Sequence, residues 1–409
     1  MYSLHLSAEQ REIRDAVRDF VMQEIRPVAL KSSRLEAAER TFPPEILARA
    51  SQMGLRTLAL SEESGGAGAD NLTACIVAEA LASGNVDIAH TLVGTSMLAH
   101  TLFDQLMTPA QRERFLPQFI DEDDYHLAYA EREHAADTAL GAQYHRGPVG
   151  TTPKTVASRA ANGDWVISGT KHLVINAPLA KLFAVQVAME GASGPTLGML
   201  LVPRDTRGVV VKEPERPRGW YHGVCGDVAF DNCRVSADHA IVAERMRTLV
   251  AASSGGRGSP LREAMNIGVG QAAYEAAVDY AKLRVQGGRR IIEHQAIGTL
   301  LAECAIRLQT ARHAVWQAAW ASDHPEAVAD RSLDDLPLQQ IAAVYTAEAM
   351  HRVTLDAADV FGAMGVMRDM PLTRYVRDAL IFLHSGNGVA DTKLRIAEAV
   401  AGYDRARAM

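Results

Sequence analysis

The hydrophobic pattern changes twice along the chain. In "LSAEQREIRDAVRDFVMQEIRP", Ile13, Val17, Phe20, Val21 and Ile25 recur at helical spacing and share one face. Ser7 with Gln10 gives a capping-box start, and Pro27 is expected to stop the helix. A second helix is expected after "FPPEI" and a third over "NLTACIVAEALAS". The glycine-rich "SEESGGAGAD" between them reads either as a ligand cradle or as a plain connector. From about 126 to 245 the runs shorten and turn residues punctuate them: "TVASRA", "DWVISG", "HLVIN", "LFAVQVAM", "TLGMLLV", "GVVV". Asn162-Gly163 is a hairpin signal, and strands at this spacing predict a small antiparallel barrel or sandwich. From about 260 the helical period returns in long Ala- and Leu-rich stretches, enough for an up-down bundle. Near its end "LIFLHSGNG" breaks the pattern with two glycines, each costing a helix roughly 1 kcal/mol relative to alanine.

These periods predict an α+β chain in three parts. A helical domain spans 1–125, a β domain 126–245, and a four-helix bundle 246–409. A hydrophobic content of 48%, a charged content of 22% and 409 residues suit a soluble globular protein with sizeable cores. The net charge of -7, without a basic block, argues against nucleic acid. No signal-peptide core opens the chain, and runs such as "LFAVQVAM" are too short for a bilayer, so no membrane is expected. Cys75, Cys225, Cys233 and Cys304 form no CxxC. They read as reduced thiols of a cytoplasmic protein, with a Cys225–Cys233 bridge as the alternative. Neither HExxH nor clustered Cys/His points to a metal. There is no GxSxG elbow or Walker loop, and no GxGxxG follows a strand, which disfavours a Rossmann fold.

Five segments in order resemble the acyl-CoA dehydrogenase family over almost the whole chain. They are "FPPEILARASQMGLRTLALSEESGGAGAD", "NGDWVISGTKHLVINAPLAKLFAVQ", "VAFDNCRVS", "YAKLRVQGGRRIIEHQAIGTLLAECA" and "VFGAMGVMRDMPLTRYVRDA". The resemblance implies FAD held between the β domain and the bundle, with a neighbouring subunit contributing, and an acyl-CoA thioester on the flavin's other face. It implies a homotetramer or a hetero-oligomer, with electron-transfer flavoprotein or oxygen as electron acceptor. In such chemistry a carboxylate takes the α proton, the flavin accepts hydride from the β carbon, and hydrogen bonds stabilise the thioester oxygen. Carried over, the FAD contacts fall on Tyr129, Ala130, Ala136, Leu173, Val174, Ile175, Arg284, His294, Asp359, Gly362, Ala363, Ile381 and Gly388.

The chain also departs from the family pattern. Its Thr-Glu-Pro-x-Ala-Gly-Ser-Asp strand becomes Ala130, Glu131 and Arg132, then Ala135, Ala136 and Asp137. Trp-Ile-Thr becomes Leu173-Val174-Ile175, which removes a hydroxyl directed at the flavin. Arg284 and His294-Gln295 match, but Gly287 stands for a phenylalanine. Asp359 stands for a glutamine, and a carboxylate there repels a diphosphate. Counting without a gap from Arg377-Asp378-Ala379, Gly386 occupies the position of the usual catalytic glutamate. The other family position for a base, early in the first bundle helix, falls on Gly258.

Substitute groups each have two readings. Glu263, about a turn beyond Gly258, is either a base or, as expected here, a solvated helix-start glutamate. His384 titrates near neutrality or packs at a helix end. Glu131, Glu133 and His134 are acid–base groups or a charged turn. His222 reads as structural. "GGRGS" reads as an anion nest for a CoA phosphate or as a linker. Three functions follow: an FAD-dependent dehydrogenase of acyl-CoA with a relocated base; other flavin chemistry on a thioester, such as oxygenation or elimination; or a non-catalytic subunit of a hetero-oligomer.

Overall fold

The capping box forms: the Ser7 hydroxyl accepts from the Gln10 amide, and the Gln10 side chain accepts from the Ser7 amide. It starts helix α1 (Ala8–Phe20), which buries Val17 and Phe20. Pro27 does not stop the chain's helical course. A π-turn over Val21–Ile25 intervenes, with the Arg26 amide donating to Val21 O, and α2 (Arg26–Ser33) follows. The wider turn resets the register, so Pro27 falls at the start of a new helical segment, where a missing N–H is tolerated.

A computed structural model describes residues 5–33, 44–133, 153–191, 194–212, 224–241, 260–367, 369–384 and 388–402. The chain gathers into two units. The first comprises Met1–Phe42, Asp70–His90 and Ser254–Met409, and the second Pro43–Ala69 and Thr91–Ser253.

In the first unit, α1, α2 and α4 (Asn71–Gly84) join the long helices α7 (Leu261–Leu283), α8 (Gln295–Asp323) and α9 (Leu338–Phe361). Shorter α10 (Leu372–His384) and α11 (Gly388–Ala401) complete it. α4 and α7 pack at backbone distance: a Cβ on Gly268 would lie 2.3 Å from Glu79 O. The Glu79 carboxylate binds Arg312 of α8 at 2.7 Å. Tyr280, near the end of α7, stacks on Phe361, the last residue of α9, with centroids 4.2 Å apart.

The second unit holds α3 (Pro44–Gln52), most of α5 (Val86–Ala99), α6 (Pro109–Asp121) and an eight-stranded sheet. Its strands are β1 (His126–Ala130), β2 (Val156–Arg159), β3 (Trp165–Ile175), β4 (Ala180–Met189), β5 (Thr196–Pro203), β6 (Val209–Lys212), β7 (Cys225–Val235) and β8 (Ala240–Ile241). The order is β6-β7-β3-β2-β4-β5-β8, with β1 also on β4. The expected hairpin is present: β2 and β3 pair Arg159 with Trp165 around a turn in which Gly163 has φ +89°. The sheet is mixed rather than purely antiparallel, because β1 and β2 both lie parallel to β4. Such pairing needs a long crossover, which alternation of single residues does not encode. Inward residues including Trp165, Ile167, Phe183, Val185, Val228 and Phe230 form its core.

The glycine-rich segment is a connector whose donors are used internally. The Ser61 amide and the Ser61 and Ser64 hydroxyls all donate to Asp104. A Cβ on Gly66 would sit 2.2 Å from Leu60 O. All four cysteines are free thiols. Cys225 and Cys233 lie on one extended strand, about 26 Å apart at strand rise, so no bridge joins them. Among the described residues no helix is long and apolar enough to cross a membrane.

Candidate functional site

In the second unit, the end of β1 meets a bulge in β3. The β3/β7 register slips between Lys171 and Val174, and Leu173 takes φ +48°. Asp227 stabilises the bend: its Oδ1 accepts from the Leu173 amide at 3.0 Å and lies 2.7 Å from His172 Nδ1. The His172 amide donates to Arg132 O, which ties the bulge to the segment leaving β1. Ala130 and Val174 are buried, whereas Ile175 is 43% exposed. Tyr129 is partly buried. Burial first, then the Glu131 charge and hydrogen bond, push its phenol well above the usual range. Thus Tyr129, Ala130 and Leu173–Ile175 come together, and the bulge presents an apolar edge.

Glu133, at the same strand end, is fully engaged. Its carboxylate accepts from the Lys154 amide at 2.6 Å, the Thr155 amide at 2.9 Å and Lys171 Nζ at 2.7 Å. Burial alone would raise its pKa, but these donors outweigh it and hold Glu133 down at about 2. Its partner, the buried Lys171, is lowered by burial despite the pairing. The pair stabilises the anion while the ammonium carries the desolvation cost. A carboxylate held this way is a poor proton acceptor.

In the first unit, Arg284 follows α7 and opens a hairpin of Val285–Gln286 against Arg289–Arg290, turned by Gly287 and Gly288 with φ of +64° and +82°. His294 Nε2 lies 3.0 Å from Gln286 O and orders the hairpin. The Arg284 side chain is exposed and has no ion-pair partner among the described residues. The Tyr280–Phe361 stack brings this end of α7 beside the end of α9. There Asp359, Gly362 (φ +56°) and Ala363 are exposed. Ile381 is buried in α10, and Gly388 (φ +72°) begins α11.

Glu263 lies at the opposite end of α7, and it corrects the expectation of a solvated residue. It is only 8% exposed, because the first turn of α7 is covered within the unit rather than facing water. Its Oε2 has no hydrogen-bond partner among the described residues. Burial pushes its pKa up against the opposing effect of Arg262. Arg262 itself turns to α10, donating to Phe382 O at 3.3 Å with its guanidinium 5.2 Å from the Phe382 ring centre. His90 stacks on the same ring at 6.5 Å. Burial and then Arg262 push His90 down to about 4. His384 is exposed. Ala136 and Gly386 lie outside the described residues, as do His134, His222 and Gly258.

Three family models match in order: "Acyl-CoA dehydrogenase, N-terminal domain" over 7–123, "middle domain" over 146–233, and "C-terminal domain" over 256–400. "Probable acyl-CoA dehydrogenase FadE25" of Mycobacterium tuberculosis is 30% identical over 390 residues, covering 92% of this chain and 91% of that protein. The chain belongs to the acyl-CoA dehydrogenase family. It is thereby an FAD-dependent oxidoreductase of CH–CH groups. The solved butyryl-CoA dehydrogenase of Megasphaera elsdenii has the same fold, with TM-score 0.81 at 22% identity, covering 98% and 100% of the two chains. A solved FAD complex of PigA superposes with TM-score 0.77 at 19% identity, covering 98% and 99%.

For this acyl-CoA dehydrogenase family member, two segments fit FAD in kind. The apolar, partly exposed Leu173–Ile175 edge suits a flavin ring. Arg284, exposed beside a turn of two left-handed glycines, suits a diphosphate. Asp359 is the residue that does not fit an anion. Among the described residues no group of His, Cys, Asp and Glu is placed to hold a metal ion. The sequence did not single out His90, Asn266, Thr346 or Asp227. The available signal for Asn266 and Thr346 was polarity inside Ala- and Leu-rich helices.

Proposed function

We propose that the protein dehydrogenates an acyl-CoA thioester between Cα and Cβ, with Glu263 rather than residue 386 taking the α proton. The carrying observation is the buried Glu263 carboxyl, one oxygen of which has no partner among the described residues. Desolvation makes a carboxylate a stronger base, and the general base of such a step needs a pKa raised toward the working pH. Burial supplies that direction at Glu263. Glu133 is committed to three donors, and His384 is exposed. FAD, when bound, supplies the hydride acceptor. In the second unit Leu173–Ile175 offers an apolar wall for a flavin; in the first, Arg284 offers a cation for the diphosphate of a neighbour's flavin. Free cysteines accord with a cytoplasmic protein.

Glu263 and Arg284 lie 21 residues apart on α7 and the residue that caps it, about 31 Å at helix rise. That is too far for one chain to supply both groups to one active centre. The reading therefore includes an oligomer in which Arg284 serves a neighbour's flavin. Light scattering at micromolar protein should give a multiple of the chain mass, and a monomer that retains full activity would overturn the shared site.

The test of the base is anaerobic flavin bleaching by a panel of acyl-CoAs, with the enoyl-CoA product identified. The wild type should bleach with at least one thioester, and Glu263→Gln should slow bleaching by about 10²–10⁴-fold at equal FAD content. Wild-type bleaching rates in Glu263→Gln would remove Glu263 from the role. A flavin-loaded wild type that no thioester bleaches would favour the non-catalytic subunit.

A further inference from the structure

Glu263 has two polar neighbours in kind. Among the described residues, Glu263 Oε2, Asn266 Oδ1 and Thr346 Oγ1 are buried side-chain atoms without a hydrogen-bond partner. Their residues are 8%, 1% and 0% exposed. Glu263 and Asn266 are three residues apart on α7 and so project from one helix face. That face meets α9: Asn266 Nδ2 donates to Thr346 O at 3.4 Å, and four residues on, a Cβ at Gly270 would lie 2.4 Å from Met350 Sδ. The two helices run in register here, which brings the three unmet atoms to one short stretch of their interface. Buried polar atoms are rarely left unmet, and internal water is the usual partner where several converge.

The atoms match one water in valence. Asn266 Nδ2 already donates to Thr346 O, so its amide orientation is fixed and Oδ1 remains an acceptor; flipping it would set two carbonyl oxygens against each other. Glu263 Oε2, when ionised, is also an acceptor. The Thr346 hydroxyl can donate. A single water can donate to both acceptors and accept from the hydroxyl, completing all three.

We propose that Asn266 and Thr346 are positioning residues for Glu263, holding with it one internal water that hydrogen-bonds the carboxylate and sets how readily it takes a proton. The kinetic consequence rests on Glu263 being the base, but the water niche does not. The charged and titratable groups described on the helices around α7 leave this control to the water. Among the described residues Arg262 is the one charged group that acts on it, and it is engaged with Phe382 on α10. From α5, His90 is held neutral. On α9, His351 is lowered by burial and then His384, while Glu348 is exposed and pairs with Lys393.

The experiment titrates the infrared acid band of Glu263 in the FAD-loaded protein, with the band assigned by its loss in Glu263→Gln. Thr346→Val keeps the shape and removes the hydroxyl. The pH at which the acid band disappears should rise by about one pH unit, and Thr346→Ser should restore it. Asn266→Leu should give the same rise and serves if Thr346→Val does not fold. The pH profile of flavin bleaching should move in step with the band. Wild-type titration in both Thr346→Val and Asn266→Leu would overturn the niche. A shifted band in a protein whose Glu263→Gln variant still bleaches at the wild-type rate would support the niche and remove only the base assignment.

Discussion

Two glutamates, one in each unit, are both sheltered from water and end in opposite states. Glu133 receives two backbone amides and Lys171 and is held at about 2. Glu263 is buried with an unmet oxygen and is pushed up. Both sit where a family resemblance suggested acid–base chemistry. The difference teaches that donors aimed at a carboxylate, rather than burial as such, separate a structural anion from a proton acceptor. Asp378 is intermediate: it is buried and shares Arg374 with Asp87. The guanidinium gains from two carboxylates and is raised. At Asp378 burial outweighs the attraction of Arg374 and Arg377 and raises it to about 6.

The comparison would break most visibly in kinetics. If Glu263 is the acceptor, Glu263→Gln loses about 10²–10⁴-fold in the rate of flavin bleaching. Glu133→Gln should show itself mainly as lost stability, measured by denaturant unfolding. A catalytic loss of the same size in Glu133→Gln, at full folding, would reverse the two assignments.

Breaking the pair from its other side gives the next largest effect. Lys171→Met leaves the Glu133 anion without its cation in a sheltered site, and unfolding free energy should fall by about 3–5 kcal/mol. A change within experimental error would mean that the two amides alone hold Glu133.

The smallest effect sharpens the intermediate case. Asp378 binds its proton more tightly folded than unfolded. Its contribution to stability is therefore complete below its ordinary value of 3.8 and is lost as pH rises through about 6. Over that window the loss is on the order of 2–3 kcal/mol. Asp378→Asn should flatten this part of the stability–pH curve. An unchanged slope would show that Arg374 keeps Asp378 ionised throughout.

Some of this was legible in the sequence for local reasons. Ser7 and Gln10 are three residues apart and meet within one helical turn. Asn162-Gly163 turns the chain between β2 and β3 because glycine accepts φ +89°. The Ala- and Leu-rich period gave the bundle, and Arg284 and His294 were marked by the resemblance alone; the hairpin that this histidine orders came only with the structure. Pro27 was misleading, since a π-turn whose signal is not in the proline itself carried the helix past it. Likewise β1 and β2 lie parallel to β4 because of a crossover that no single strand announces.

The candidate site divides along the same line. Sequence by itself determined the order of elements and the family, and it singled out Arg284 and the two departures, Ile175 and Asp359, at positions that the resemblance assigns to the flavin. Tertiary structure alone decided what each carboxylate is. Glu263 opens a helix, where glutamate normally meets water and the helix N-terminus. Its burial depends on elements distant in sequence, and its unmet oxygen on which side chains α9 presents near Thr346. Glu133 became a fixed anion because Lys171, 38 residues on, comes back along β3 to meet it. Capping, turns and periodicity act over a few residues and are written locally, whereas desolvation and hydrogen-bond satisfaction are sums over everything that packs nearby, and only the folded chain sets them.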